Sequence, residues 1–476
     1  MDNNASTIPR SFSDCTGYFD DKMARYFGVD RTISDDKVVE LLVSTSFGAN
    51  SILYAVWLGY LMGMWAMLIH SAWCLSFCFL AFFSKRIYTH TSIHDFLSCH
   101  FGPSVKRVSA ICSCVGLLYF TGWEVAVTKS NLEVFSIQFF LGETWIWSLL
   151  LIAVVCVALL YTIIGGQQAN GWVNAVVNRI RFILLGIIVL GILNVLCAGK
   201  QPILNMLLPR FGVAIKNLGV AGLVTNIFIN LSWQFVDNSS WQILSSGRMS
   251  RADDTCKSLK RTALIVLIVY AAETFLGAAL RGVSGLNSEN ILSGIIYIIG
   301  KKGAMLIAVT TVILLLLSLM SLVDGMSLSV AHTIMVDLNF LNNTNRLRRH
   351  KLPGIQTARM VTLLLGILAA WGVQYILGSI GKNVFDFVYI FTVAQLSLIG
   401  PILIGLVLRP QCVFNMWIGI VVSLIIGIAL NVYSNLSGIL WIGDMAGATT
   451  AMSSLGIGLL LYHKWNKRNV HREKEI

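Results

Sequence analysis

The stretch NIFINLSWQFVDNSSWQILSS (226–246) decides the reading of this chain. It is as long as a bilayer-crossing helix, which needs roughly 20 residues. Yet Asn230, Ser232, Gln234, Asp237, Asn238, Ser239, Ser240 and Gln242 all fall within it. Hydrocarbon does not tolerate that much polarity on a lipid-facing side, so the segment faces protein or water inside the membrane. A second stretch, VVELLVSTSFGANSILYAVWLGY (38–60), carries Ser44 to Ser51 at its centre, where Gly, Ser and Asn lower helix propensity. A helix interrupted there leaves main-chain groups unpaired, and these survive in a membrane only when buried or lining a cavity. The two stretches are the first and sixth crossings, five apart and opposite in direction, which points to an inverted-repeat transporter. The alternative is that the polar residues only join helices by hydrogen bonds.

Working outward, the chain of 476 residues is 56% hydrophobic and 12% charged, against about 25% charged in a soluble domain. Crossings are predicted at 39–62, 64–84, 108–133, 146–165, 172–197, 217–244, 262–284, 304–333, 358–379, 384–408, 412–434 and 441–462. The fold class expected is an all-α integral membrane protein with about twelve transmembrane helices. Its transmembrane domain spans 38–462, between a polar cytoplasmic segment (1–37) and a basic, irregular cytoplasmic tail (463–476). The first 37 residues lack an apolar h-region, so no cleavable signal is expected.

The net charge of +12 sits in loops, so the partner it implies is a lipid bilayer and not nucleic acid. Lys85, Arg86, Arg179, Arg181, Arg248, Arg251, Lys257, Lys260, Arg261, Arg346, Arg348, Arg349 and Lys351 fall on the side of the tail. That side is read as cytoplasmic, with both termini inside and the chain multi-pass in the plasma (inner) membrane. Residues 90–102 read as an amphipathic cytoplasmic helix at the interface. The ten cysteines lie mostly in apolar runs without metal-ligand spacing and read as small packed hydrophobes.

The eighth crossing ends LLLLSLMSLVDGMSLSVAHTIMVDL (314–338). Ser318 and Ser321 share a helical face, and oxygens there, beside carbonyls of the interrupted first crossing, could ligate a small hard cation. The competing reading is hydroxyls bonded back to their own helix. Asp324 is different, since a carboxylate within a crossing defaults to function.

These segments resemble the sodium/solute symporter family over roughly 38–410. STSFGANSILYAVWLGYLMG (44–63) is similar to its first core helix, ending in G-Y-x-x-G, and the loop from Thr91 to Gly102 is similar to its T-x-x-E-x-L-x-x-R-F-G. Tyr161, Gly165, Gly166 and Ala169 resemble Y-x-x-x-G-G-x-x-A, and Met320 to Gly325 resembles M-S-T-A-D-S. The resemblance implies a five-plus-five inverted repeat (LeuT-like) followed by two extra C-terminal helices. It also implies sodium as the bound ion, held by the carbonyls of Ser44, Phe47 and Ser318 and the hydroxyl of Ser321, with Asp324 close by. The chain departs from the family at Leu322, which replaces a hydroxyl ligand, at Asn174 and Val177 after the G-G motif, and at Ile243. These departures weaken the expected sodium site.

The function expected from the resemblance is sodium-coupled symport of a small organic solute by alternating access. A bundle of crossings 1, 2, 6 and 7 would move against crossings 3, 4, 8 and 9. Two alternatives stay open: a proton-coupled or uncoupled carrier of the same fold, and a transporter-like sensor without transport. Candidate contacts of the small-molecule substrate are Ser51, Asp237, Trp233, Trp241, Gln395 and Glu124, with Trp123 a further stacking candidate. Asp237 could pair with a cationic group of the substrate, or instead with Lys129 or a helix terminus. Glu124 and Lys129 are spaced to pair with each other, Glu273 is an intramembrane acid, and Pro401 is expected to kink the tenth crossing. No GK[ST] phosphate loop, H-E-x-x-H or clustered His/Asp site is present, so an enzyme is not expected.

Overall fold

The computed structural model describes residues 21–139, 144–198, 203–248, 252–283, 285–286, 291–299, 304–338, 354–379, 388–410 and 415–475. Among these, regular structure is helical, apart from one isolated bridge between Ile33 and Gly247. The helices are α1 (Asp21–Phe27), α2 (Asp35–Thr45), α3 (Ala49–Met62), α4 (Met67–Phe82), α5 (Ile93–Phe101), α6 (Pro103–Phe139), α7 (Thr144–Ala198) and α8 (Val220–Val236). They continue as α9 (Asn238–Ser246), α10 (Ala252–Ala279), α11 (Ala304–His332), α12 (Ile355–Ile367), α13 (Val388–Leu396), α14 (Ile399–Leu408), α15 (Met416–Ser437) and α16 (Leu440–Glu475).

Among the described residues nine helices are long and apolar enough to cross a bilayer, or ten counting one bent pair. The chain is thus a multi-pass membrane protein. Leu160, Leu190, Ile268, Leu306 and Leu460 are more than half exposed on its outside, a surface suited to lipid and not to water. Two of these spans each hold more than one predicted crossing. Ala49–Phe82 joins the second half of the first crossing to the second through a turn at Gly63. The 55 residues of α7 would measure about 80 Å if straight, far beyond the hydrocarbon core. They fold back at Gly166, whose φ of 57° is left-handed. Tyr161 and Asn174, on the two arms, both donate to the same oxygen of Asp324. The carbonyl of Tyr26 would lie 2.1 Å from any Cβ placed on Gly166, so glycine is required there for approach as well as for its dihedral.

The first and sixth crossings are broken. Between α2 and α3 the chain runs non-helically through Ser46, Phe47 and Gly48, and between α8 and α9 it breaks at Asp237 (φ −76°, ψ 97°). The tenth crossing breaks too, between α13 and α14. The kink expected from Pro401 falls just before that residue, which sits in the first turn of α14, where its missing N–H is tolerated. The carbonyl of Ser397, four residues earlier, accepts from Ser454 Oγ of α16 at 2.6 Å.

Helix α10 packs on α3 and α4, and α4 packs on α8; α11 packs on α6 and α7, while α2, the first half of the first crossing, packs on both α7 and α10. The approach of α3 to α10 is the tightest, with the Val56 carbonyl 1.9 Å from an ideal Cβ on Gly277 and the Thr274 carbonyl 2.3 Å from one on Gly59. Small residues allow such contact between membrane helices.

Three expectations change. The segment before 38 is not simply polar, because α1 buries Met23, Tyr26 and Phe27 against Leu328, Ala331, Met335 and Ala358. The tail continues as helix α16 as far as Glu475. Helix α5 buries Ile93, Phe96, Leu97 and Phe101 within the protein core, where an interfacial helix would offer that face to lipid. Arg251 and the basic stretch at 346–351 lie outside the described residues.

Candidate functional site

Each break needs partners for its exposed main chain, and the sequence supplies them. Gly48 is the N-cap of α3 and has no side chain to cap with. Glu124 of α6 does this instead, its carboxylate accepting from the amides of Ala49 and of Asn50 (3.1 Å). A Cβ on Gly48 would strike Leu322 Cδ1 at 2.6 Å and Glu124 Oε1 at 2.9 Å. Leu322, the hydrophobe in place of a hydroxyl ligand, therefore fills the space against the break.

At the other break Asp237 caps α9. It accepts from Ser239 N (3.1 Å), Ser239 Oγ (2.8 Å) and Ser240 Oγ (2.5 Å). The helix-terminus reading of Asp237 is the one observed. Lys129 pairs with Glu133 at 3.8 Å, and not with Glu124 or Asp237.

The expected cation ligands meet a residue, near the start of the fifth crossing, that the sequence counts only toward orientation. Arg181, on the second arm of α7, is fully buried. Its Nη1 donates to the Phe47 carbonyl at 2.6 Å, and its guanidinium carbon lies 4.6 Å from the centroid of the Phe47 ring. Its Nη2 donates to Asn178 Oδ1, and Asn178 Nδ2 in turn donates to the Glu40 carbonyl (2.8 Å) and Glu40 Oε2 (2.7 Å). The Ser44 carbonyl accepts from Phe47 N at 3.3 Å. Asp324 Oδ2 accepts from Tyr161 (2.5 Å) and Asn174 (2.9 Å). Ser318 Oγ, Ser321 Oγ, Asp324 Oδ1 and both oxygens of Glu273 are buried without a hydrogen-bond partner among the described residues. Asp324, Glu273 and Glu124 all lie within electrostatic reach of Arg181.

A second neighbourhood lies beside the first break. Trp73 of α4 donates to Ser46 Oγ (3.3 Å) and stacks on Trp233 of α8 with ring centroids 5.8 Å apart. Trp233 meets the edge of Phe120 at 5.3 Å, and Phe120 leads to Trp123 at 5.9 Å. Tyr270 stands edge-on to Trp73 and stacks on His70, which meets Tyr54. Tyr54 donates to Asn226 at 2.6 Å and accepts from Asn230 at 3.4 Å. Ser51 lies close to Tyr270 of this group and donates to Asn50 Oδ1 at 3.1 Å.

Ser51 and Trp233 of the expected substrate contacts are thus brought together, and Glu124 lies at the break beside them. Gln395 packs over Gly116 of α6, with its Oε1 unpaired among the described residues. Trp241 lies apart, below the sixth break, donating to the Gln234 carbonyl (3.3 Å) and packing on Phe96 of α5.

Below the breaks, α9 is latched to its neighbours. Gln242 bonds His332 (2.8 Å) and Thr333 (3.1 Å), and Asn238 bonds Thr333 (3.0 Å) and the Ile93 amide (3.2 Å). Ser44, Ser239, Gln242, Asp324 and His332 line one narrow cavity, so the helix ends that flank the two breaks border the same space as the eighth crossing. Arg181, Tyr54, Trp73 and His70 were missed in the sequence. An Arg nine residues inside the predicted crossing 172–197, two beyond Arg179, is the signal that marks the first of these.

No protein-family model and no curated protein sequence matches this chain. Solved structures do. A substrate-bound, outward-open Na+-coupled sialic acid symporter matches with TM-score 0.71 at 15% identity, over 92% of this chain and 91% of its own. A nucleobase-cation-symport-1 family transporter, closed with bromovinylhydantoin bound, matches with TM-score 0.60 at 14% identity, over 94% of this chain and 95% of its own. A mutant manganese transporter of Eremococcus coleocola matches with TM-score 0.52 at 12% identity, over 93% of this chain and 95% of its own. At such identities the likeness concerns architecture alone: the chain has the all-helical LeuT-like fold, with its first and sixth segments broken.

Proposed function

We propose that this protein is a secondary active transporter that carries a small organic solute across the plasma (inner) membrane by alternating access, with both termini cytoplasmic. The observation that carries this reading is the pair of broken crossings, whose flanking helix ends at Ser44 and Ser239 line one narrow cavity. Main-chain groups at membrane depth are tolerated only there, and broken helices of this kind hold substrates and ions in secondary transporters. The solute would sit beside Trp73, Trp233, Tyr54 and Tyr270. These offer stacking surfaces, and Ser51, Asn226, Asn230 and Gln395 offer uncharged hydrogen-bonding groups. Because Asp237 is already engaged by Ser239 and Ser240, the set favours an uncharged polar solute over a cationic one.

Sodium coupling is the ion reading that the resemblance implies. In its favour are Ser318, Ser321 and Asp324, whose buried oxygens are unpartnered among the described residues. A second reading, a carrier of the same fold coupled to protons or to nothing, is favoured by Arg181 at the Phe47 carbonyl.

The test is counterflow in proteoliposomes preloaded with pools of unlabelled polar metabolites. Saturable accumulation of at least one labelled solute is expected, and weaker accumulation after Trp233→Ala. Specific binding of a solute without any counterflow would leave a sensor, and the carrier reading would be lost.

A further inference from the structure

The breaks expose carbonyls in the middle of the membrane, and one of them is already satisfied by a permanent cation. Arg181 is fully buried and donates through Nη1 to the Phe47 carbonyl at 2.6 Å. A guanidinium stays protonated in proteins, so its charge is not switched off by its surroundings. An isolated buried ion is costly unless paired and hydrogen-bonded, and this one is held on several sides. The Phe47 carbonyl and Asn178 Oδ1 accept its protons, and the Phe47 ring lies against its face. Asp324, Glu273 and Glu124 lie within electrostatic reach of it. Asn178, fixed to Glu40 of α2 by two bonds, holds the guanidinium in place.

A sodium ion at the same carbonyl would need enough oxygens to replace its water shell. Of the set implied for it, Phe47 O is engaged by Arg181 and Ser44 O accepts from Phe47 N. Leu322 brings no oxygen and is packed against Gly48. Ser318, Ser321 and Asp324 remain, all on one helix. A guanidinium supplies the positive charge and a directed donor in one group, and it cannot dissociate.

We propose that Arg181 is the resident cation of this site: its guanidinium stands at the Phe47 carbonyl in place of a sodium ion, and the protein neither binds nor requires sodium. The proposal deepens the carrier reading by naming how its ion site is filled, and it rests on that reading only for its consequence in transport.

The test uses the full-length protein and sodium itself as the probe. Purified protein is assayed for saturable binding of radioactive sodium at millimolar concentration. Its thermal midpoint is also compared in sodium and choline chloride at equal ionic strength. The wild type is expected to show no saturable binding and equal midpoints. Arg181→Ala frees the Phe47 carbonyl near the unpartnered oxygens of Ser318, Ser321 and Asp324, so its midpoint should rise by about 5 °C from sodium-free to saturating sodium. Arg181→Lys keeps a cation on a flexible stem and should stay sodium-insensitive, which keeps the test open if the alanine variant does not fold. Saturable one-site sodium binding by the wild type would overturn the proposal, as would a sodium-dependent midpoint. These readouts involve no solute. Failed counterflow with absent sodium binding would therefore sink the carrier reading and leave the assignment of Arg181 standing.

Discussion

Glu124 gives the sharpest handle on how the first break is held. Its side chain is fully buried, and its two oxygens take the amides of Ala49 and Asn50, the first N–H groups of α3. Glu124→Gln keeps the shape and one acceptor, but puts an NH2 group against an amide that had an oxygen. The loss is one hydrogen bond to a charged group, about 1.5–3 kcal/mol. A carboxylate at a partly buried helix N-terminus contributes up to ~2 kcal/mol more. A total near 3 kcal/mol, spread over a chain of this length, lowers the midpoint of thermal denaturation by about 3–6 °C. Denaturation in detergent is irreversible for many such proteins, so the comparison is made at one fixed scan rate. Glu133→Gln is the control, because its pair with Lys129 is about half exposed on both sides and screened by solvent, and it should move the midpoint by less than about 1 °C. If Glu124→Gln melts with the wild type, the carboxylate does not hold the break, and the geometry of the first crossing needs another explanation.

Gly277→Ala must part α3 from α10, since its Cβ would lie 1.9 Å from the Val56 carbonyl where ordinary contact begins at 3.4 Å. A cost of about 1–3 kcal/mol should appear as a lower thermal midpoint and lower yield, while Gly456→Ala, with open space around it, should be neutral; equal midpoints for the two variants would contradict the close crossing. In the loop before α5, burial works against a charged His90. Its hydrogen bond to Asp95 (3.3 Å) and the nearby Cys99 outweigh burial and carry its pKa up to about 9. A raised folded-state pKa means the stabilisation is complete below about pH 6.5 and is lost as pH rises through about 9. The midpoint difference between wild type and His90→Asn should therefore shrink from pH 6 towards pH 10, by ~3 kcal/mol at most, and a constant difference across that range would contradict the pairing.

The breaks were legible in the sequence because hydrocarbon makes polarity informative: Gly48, Asn50 and Asp237 have no cheap place on a lipid-facing helix. The role of Asp237 was legible only as a choice, since an acid followed by two serines fits a substrate contact and an N-cap equally well. Glu124 and Lys129 are five residues apart, which on a helix puts them on different faces, and the i,i+4 partner Glu133 takes the lysine instead. Arg181 counts in the sequence only toward orientation, because basic residues near the start of a crossing carry that signal. The fold of α7 at Gly166 placed that arginine at membrane depth, and this depends on tertiary packing that hydropathy does not carry. The aromatic group around Trp73 was hidden for the same reason, because Trp, Tyr and His on four helices look like packing until their rings are seen to meet.

Leu322 and Arg181 are best understood together. Leu322 alone would remove an oxygen from a cation site and leave a buried acid, Asp324, without a counter-ion, which is costly. Arg181 alone would crowd a bound sodium ion with a like charge. Jointly they replace a dissociable cation by a fixed one and close the space beside Gly48. This changes what can drive the cycle. A dissociable ion biases the conformational equilibrium through its different affinity for the two states, and a covalently attached guanidinium has no concentration gradient to supply that bias. The Arg181–Phe47 bond joins the first crossing to the fifth, and on the proposed alternating-access cycle the first belongs to the moving bundle and the fifth does not. Movement of the bundle must therefore either break this bond or draw the long arginine side chain along with it. In the first case the guanidinium is a latch whose release belongs to the transport step. In the second it is a tether, and shortening its reach with Arg181→Lys slows counterflow without altering solute affinity.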